Sequence, residues 1–334
     1  MQVRSAGVSQ LVGRRRTGLG QYGLAESGPV DWWMAEAVDS LLGGRTDANR
    51  WWIETGPSPF KIQVKSSTIV AVGGAQRTVQ LGDWIVPASG GGLLAKCIVQ
   101  NGDVIELGFA KSGTYSYLAF HSDLHLNPVL GSYSASMTGD FPGLLGRRLR
   151  DGDVIPVQEV DEDLLSQHRT KKFANMIEIS LRTNPLLAEP LYFLPGPEYD
   201  VISRDLGMEN ARDWYFRITP HWDRHGLRME WLSPDEAKVT MDVVELSHSS
   251  PTISGLIQWP RKGQPILLGP DRPTVGGYPR FGVMMSHEMA GISLRNIGTT
   301  IWLRKVSREE ASAVYPIKMM VRQNWLKLWK WFNT

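Results

Sequence analysis

Two stretches of this sequence gather side chains that can hold or move charge. One runs from Gly255 to Arg280, GLIQWPRKGQPILLGPDRPTVGGYPR, and sets Gln258, Asp271, Thr274, Tyr278 and Arg280 around the pair Gly276-Gly277. The other is Asp223-Arg224. A guanidinium is a fixed cation with directional donors, and a nearby carboxylate can orient it or accept a proton. Adjacent glycines let backbone N–H groups approach a ligand closely. Each feature also reads structurally. Asp223-Arg224 is a turn pair that can close a buried salt bridge. Gly276–Pro279 is a tight loop that a tyrosine can anchor. A turn glutamine such as Gln258 can simply satisfy backbone groups.

Other chemistries lack their residues. His121, His125, His221, His225, His248 and His287 show no H-E-x-x-H spacing, and Cys97 alone cannot complete a thiolate cluster, so no metal site is expected. His121 and His125 stand four apart, but in a loop-like stretch. There is no G-x-S-x-G elbow and no P-loop, so the chain is expected to bind neither ATP nor another cofactor alone.

The elements that must position these residues read as mainly β. The chain has 334 residues, with 34 Gly, 20 Pro and 13 Trp, a composition of many turns and broad buried surfaces. Its formal charge of +2 is too small to imply a nucleic-acid partner. A single cysteine excludes an internal disulfide framework and fits a reducing compartment. The N-terminal stretch lacks the apolar core of a signal peptide, and no apolar run is long enough to span a bilayer. A cytoplasmic protein is expected.

One helix stands out. Val30, Trp33, Met34, Ala37, Val38, Leu41 and Leu42 form one face of a 3.6-residue period, with Pro29 and Asp31 at the start and Gly43 at the end, predicting a helix over 29–42. Strand patterns follow at Phe60–Val64 and Thr68–Val72. Gly82-Asp83, Gly102-Asp103 and Gly152-Asp153 each supply a turn before an apolar pair. A charged connector at 158–175, with a short helix around Asp161–Gln167, leads to a strand at Met176–Arg182. Later strands are predicted at Lys238–Leu246, Pro265–Leu268, Phe281–Met285 and Thr299–Arg304. The boundary between two halves is placed near residue 185, giving units 1–185 and 186–316. The tail 317–334 carries Lys318, Arg322, Lys327 and Lys330 and no acid. Val321, Trp325, Leu328, Trp329 and Phe332 share one helical face there. Such a face is to be covered by the protein's own surface, a partner protein or a membrane surface.

The motifs resemble those of the allophanate hydrolase subunit 2 or biotin-dependent carboxyltransferase family, to which the C-subunit of 5-oxoprolinase belongs. Gly255, Ile257, Gln258 and Pro260 match its G-x-I-Q-V-P, and Gly263, Pro265 and Ile266 its G-x-P-I. Asp271, Thr274 and Gly276–Arg280 match its D-x-Q-T-T-G-G-Y-P-[KR]. Asp223, Arg224, Gly226 and Arg228 match D-R-x-G-x-R, and Leu194–Pro197 match LPGP. In the first half Gln10, Gly13, Arg14, Gly23, Ser27, Gly28, Asp31 and Pro128–Ser132 are similar to family positions. The chain departs from the family at Leu11, Asp39, Gln76, Ser250 and Pro273, and in the turn His121–Leu124.

That resemblance implies two cyclophilin-like β-barrel halves with a few short helices. It implies a subunit of a 5-oxoprolinase-like, ATP-dependent complex acting on a small cyclic amide or urea-like substrate, inactive alone. A B-like partner of the allophanate hydrolase subunit 1 type would be needed, with a third, ATP-using subunit and any biotin supplied by other chains. Arg224 and Arg280 would be the cations that hold developing negative charge, Asp271 their orienting carboxylate or a base, and Gln258, Thr274 and Tyr278 the donors. Asp223 and the Gly276-Gly277 backbone would complete the substrate contacts. The departures suit the alternative, a binding or regulatory module that kept the fold without the active site.

Overall fold

The computed structural model describes residues 1–43, 50–86, 91–169, 177–180, 190–234, 246, 248–260 and 264–332. The predicted strand at 238–246 falls outside these but for its last residue. So do Gly263, the boundary near residue 185, and the side chains of Trp325, Leu328, Trp329 and Phe332.

The N-terminal strands form two facing sheets. One has five strands, in the order β1 (Gln2–Ser5), β4 (Phe60–Gln63), β9 (Val104–Leu107), β6 (Val79–Leu81) and β7 (Trp84–Val86). The other has six, in the order β11 (Ile177–Ser180), β8 (Gly91–Val99), β5 (Thr68–Gln76), β10 (Ser112–Phe120), β3 (Trp51–Thr55) and β2 (Ser9–Gly13). Phe60, Ile62, Ile105 and Leu107 of the first sheet meet Leu11, Trp51, Val70, Val72 and Phe120 of the second in one core. The opposite face of the six-stranded sheet carries Trp52, Ile69, Ala71, Tyr117 and Ala119. It is covered by helix α1 (Trp32–Ser40) through Trp33, Met34, Ala37 and Val38. Strands buried on both faces read as continuous apolar runs rather than alternations, as in Thr-Ile-Val-Ala-Val of β5.

Helix α1 is shorter than its apolar pattern. It begins at Trp32, because Asp31 is its N-cap and accepts a hydrogen bond from the Met34 N–H at 2.9 Å. Pro29 therefore lies before the cap rather than at the first helical position. Gly82 makes the β6–β7 hairpin and Gly102 precedes β9, but Gly152-Asp153 leads only to isolated bridges, from Val154 to Gln2 and from Val157 to Leu124. The connector carries α2 (Glu162–Arg169), close to the predicted short helix.

The C-terminal strands close a seven-strand barrel, β12-β19-β16-β17-β14-β13-β20. Its staves are β12 (Leu191–Pro195), β13 (Asp213–Trp222), β14 (Gly226–Trp231), β16 (Leu256–Gln258), β17 (Ile266–Leu268), β19 (Arg280–Met284) and β20 (Thr300–Lys305). Aromatic rings fill it: Trp214 meets Trp231, Trp259 and Phe281 at centroid distances of 5.9, 6.1 and 4.8 Å. Helix α3 (Tyr199–Asp205) packs against it, and a two-residue pairing joins β15 (Ser250–Pro251) to β18 (Val275–Gly276). After β19 comes the short α4 (Ser286–Met289). The terminal helix α5 (Arg308–Phe332) starts well before the predicted tail and runs through Pro316. Its Lys318 reaches the buried Glu288 and also donates to the Pro190 carbonyl at 3.3 Å. Among the described residues no helix is long and apolar enough to cross a membrane.

Candidate functional site

Arg224 sits in the turn between β13 and β14, where it joins the two halves. Its Nε donates to Asp271 Oδ2 at 2.6 Å and its Nη2 to Asp271 Oδ1 at 3.1 Å. The same Nη2 donates to the Gly28 carbonyl at 2.7 Å, and Nη1 donates to Glu54 of β3. Four of five N–H donors are thus engaged. Arg224 is 6% exposed and Glu54 2%. Burial works against the guanidinium charge, but Asp271 and Glu54 outweigh it and hold the pKa well above its ordinary value. The second Glu54 oxygen accepts from the Val30 N–H at 2.8 Å and the Tyr117 hydroxyl at 2.9 Å. Tyr117 in turn accepts from the Asp31 N–H at 2.8 Å, and burial followed by Glu54 and Asp31 pushes its phenol well up.

This network is laid out by local backbone. Gly28 takes φ +87°, and a Cβ there would stand 2.7 Å from the Arg15 side chain, so a glycine is required to aim that carbonyl at Arg224. Asp31 caps α1 with one oxygen. With the other it accepts from the Gly291 N–H at 3.0 Å and the Ser293 hydroxyl at 2.8 Å.

Two cavities flank the Trp222-Asp223 turn, and both are lined by it. The first, about 590 Å³, opens between the halves. Gln10, Glu54, Lys111, Tyr115 and Arg148 line it from one side, and Trp222, Asp223, Arg224 and Asn296 from the other. Gln10 is 3% exposed, and its Nε2 has no hydrogen-bond partner among the described residues. The second, about 540 Å³, lies at the barrel and is lined by Asp223, His225, Arg228, Gln258, Pro273 and Tyr278. Asp223 Oδ1 accepts from the N–H groups of His225 and Gly226, at 2.8 and 3.2 Å, and Oδ2 faces His225 Nδ1 at 3.3 Å. The His225 side chain holds the Asp223 carboxyl down at about 2, and Asp223 raises the imidazole pKa.

The sequence-predicted set is therefore divided. Asp223, Gln258 and Tyr278 share the barrel cavity, and Gly276 sits against it, where a Cβ would come 2.6 Å from Gln258 Nε2. Arg224 lines the other cavity, with Asp271 behind it as its ion-pair partner. Thr274 offers its carbonyl to the Thr252 N–H at 3.0 Å and lines neither cavity. Gly277 has only Ser249 Oγ near a notional Cβ, at 3.7 Å. Arg280 is turned to Glu198 at the start of α3, with Nε at 2.9 Å and Nη2 at 2.6 Å, and lines neither cavity.

Glu54, Tyr115, Lys111 and Arg148 were not singled out from the sequence. Glu54 had a signal, since it is an acid inside the otherwise apolar Trp-Trp-Ile-Glu-Thr. Of the departures, Leu11 is fully buried in the first core, on the strand face opposite Gln10, and Pro273 lines the barrel cavity.

This fold, with a carboxylate-bound arginine joining a two-sheet half to a closed barrel, belongs to the carboxyltransferase-domain family: the description "Carboxyltransferase domain, subdomain A and B" matches residues 22–305. Two relatives are C-subunits of 5-oxoprolinase. That of Escherichia coli is 28% identical over 303 residues, 89% of this chain and 87% of its own. That of Haemophilus influenzae is 27% identical over 315 residues, 93% and 92% of the two chains. Among solved structures, Kluyveromyces lactis urea amidolyase superposes with a TM-score of 0.71 at 19% identity. The likeness covers 97% of this chain but only 20% of that one, and shows the shared fold.

Proposed function

We propose that the chain is one subunit of an ATP-dependent amidohydrolase-type complex of the 5-oxoprolinase kind. The observation that carries this is the nearly end-to-end likeness to the 5-oxoprolinase C-subunit, over 89% of this chain and 87% of that protein. ATP would be handled by another subunit, since this sequence has no P-loop. The cavity between the halves suits a small amide. Gln10 can offer a primary carboxamide, which donates and accepts like the amide it would read. Lys111 and Arg148, both exposed cavity-lining cations, would attract a carboxylate.

A second reading, a binding or regulatory subunit without turnover, is favoured by the state of the motif cations. Arg224 is bound to Asp271 and Glu54, and Arg280 to Glu198, so their charges are already matched. Co-expression with a partner of the allophanate hydrolase subunit 1 type and an ATP-using subunit, followed by an assay of ATP-dependent glutamate release from 5-oxoproline, separates the readings. The first expects release by the complex and none by the isolated chain. Co-purification without release supports the second, and failure to co-purify sinks both.

A further inference from the structure

A third cavity shares no lining residue with the two at the Trp222-Asp223 turn. It encloses about 390 Å³ between the loop after β2, the start of α1 and the face of β3, with Ser286 of α4 at its edge. Arg14, Arg15, Trp32 and Trp52 line it, with Glu36 and Arg50. The last two are paired with each other at 3.5 Å, which matches the Glu36 charge.

The donors in this cavity are short of acceptors. Trp52 is 3% exposed, and its indole Nε1–H has no partner among the described residues. Arg15 is half-buried, makes no hydrogen bond or ion pair among the described residues, and has a solvent-excluded Nε without a partner. Burial is the main force on its guanidinium and lowers the pKa, and Glu26 opposes this only through space. Glu26 faces the buried Arg272 at 3.5 Å. Arg14 is exposed at the mouth. A buried donor without an acceptor is destabilising, and a charged one more so, unless something supplies the acceptor.

Two indole walls, with the Trp32 N–H on the Ser286 carbonyl at 3.4 Å, and two arginines without a carboxylate partner among the described residues are the parts of a site for an organic anion. Arginine holds phosphate or carboxylate oxygens with paired N–H groups, and an indole face accepts an apolar or planar body. We infer that this cavity binds a small organic anion, its charged head on Arg15 and Arg14 and its apolar body against Trp32 and Trp52. It would be a second ligand site, separate from the cavity between the halves, and does not depend on the complex.

Calorimetric titration of the full chain with phenyl phosphate, benzoate and inorganic phosphate tests this. Saturable binding of phenyl phosphate or benzoate is expected, and whichever binds tighter identifies the head group. Inorganic phosphate, lacking the apolar body, should bind at least 10-fold more weakly than phenyl phosphate. Arg15→Gln should weaken the better probe by 10-fold or more, and Trp52→Phe, which keeps a ring but loses the N–H, by several-fold with unchanged circular dichroism. The melting temperature of the wild-type chain should rise with the probe, and that of Arg15→Gln should not. If Arg15→Gln fails to fold, Arg15→Lys replaces it under the same 10-fold criterion, because lysine lacks the planar fork. No saturable binding of any probe at millimolar concentration, or binding unchanged in the Arg15 variant, overturns the assignment.

Discussion

Replacing Arg224 by alanine removes a cation from between two carboxylates. Glu54, 2% exposed, loses its charge partner but keeps the Val30 N–H and the Tyr117 hydroxyl. Asp271 loses both side-chain donors, Nε at 2.6 Å and Nη2 at 3.1 Å, and the Gly28 carbonyl loses its own. Breaking a buried ion pair from one side costs about 3–5 kcal/mol, because the remaining charge stays desolvated. For a chain of this length that corresponds to a fall in melting temperature of roughly 4–7 °C. Differential scanning fluorimetry and urea midpoints at neutral pH measure it. The origin of the loss is checked by the pair Arg224→Met and Glu54→Gln. If the cost is an abandoned charge, the double variant should recover part of what Arg224→Met loses, a coupling above about 1 kcal/mol. An Arg224→Ala protein that melts within about 2 °C of the wild type would refute this reasoning. Loss of turnover in the complex by about 10²-fold at such unchanged stability would instead make Arg224 a cation for transition-state charge.

The His225 imidazole should titrate above its ordinary 6.5 in an NMR experiment and fall back in Asp223→Asn, and a midpoint at or below 6.5 in the wild type would contradict the pairing. Because the His225 value is raised and the Asp223 value lowered, the pair stabilises fully between about pH 4 and 6.5; its contribution fades as pH rises through the folded His225 value or falls towards about 2. Gly276→Ala would push only the far end of Gln258, 2.6 Å from the new Cβ, so the melting temperature should move by less than about 2 °C while substrate binding in the complex weakens. A large loss of stability would mean that Gln258 is structural. A chain ending at residue 316 should melt several degrees lower, since Glu288 is 1% exposed and loses the Lys318 ammonium. A chain ending at 320 keeps that ammonium, so lost co-purification there assigns the rest of α5 to a partner, lost sedimentation with anionic vesicles assigns it to a membrane, and no change in either makes it dispensable.

The elements were legible where one periodicity dominated. Helix α1 announced itself through seven apolar residues on one face, and β5 and the strands β17, β19 and β20 through β-branched or apolar runs. The ends were less so. The α1 start moved by three residues because Asp31 acts as cap rather than first-turn acid, which depends on the Met34 N–H geometry. The Gly152-Asp153 turn looked like those at Gly82 and Gly102, yet it is followed by isolated bridges at Val154 and Val157 rather than a strand. The site was legible as a set of residues but not as a place. Arg224 and Arg280 look alike in sequence, and what distinguishes them is which carboxylates the fold brings near. Those partners, Glu54 and Glu198, stand 170 and 82 residues away along the chain. What marks Gln10 is its buried Nε2, without a partner among the described residues, which its place in the sequence does not reveal.

The bonds from Asp31 to Gly291 and Ser293 span 260 and 262 residues. A ribosome adding about 5–20 residues per second takes roughly 10–50 s to cover that distance. The six-stranded sheet needs β11, which ends at Ser180, so for the last 111 of those residues, roughly 6–22 s, the first half exists without the groups that complete it. Ala290 and Leu294 do not yet lie over the Tyr117 face, and Glu54 has no arginine. The nascent sandwich is therefore a waiting intermediate with an uncovered apolar patch and an unneutralised acid. Its survival in the cell depends on the rate of synthesis and on whatever shields that patch until the barrel arrives.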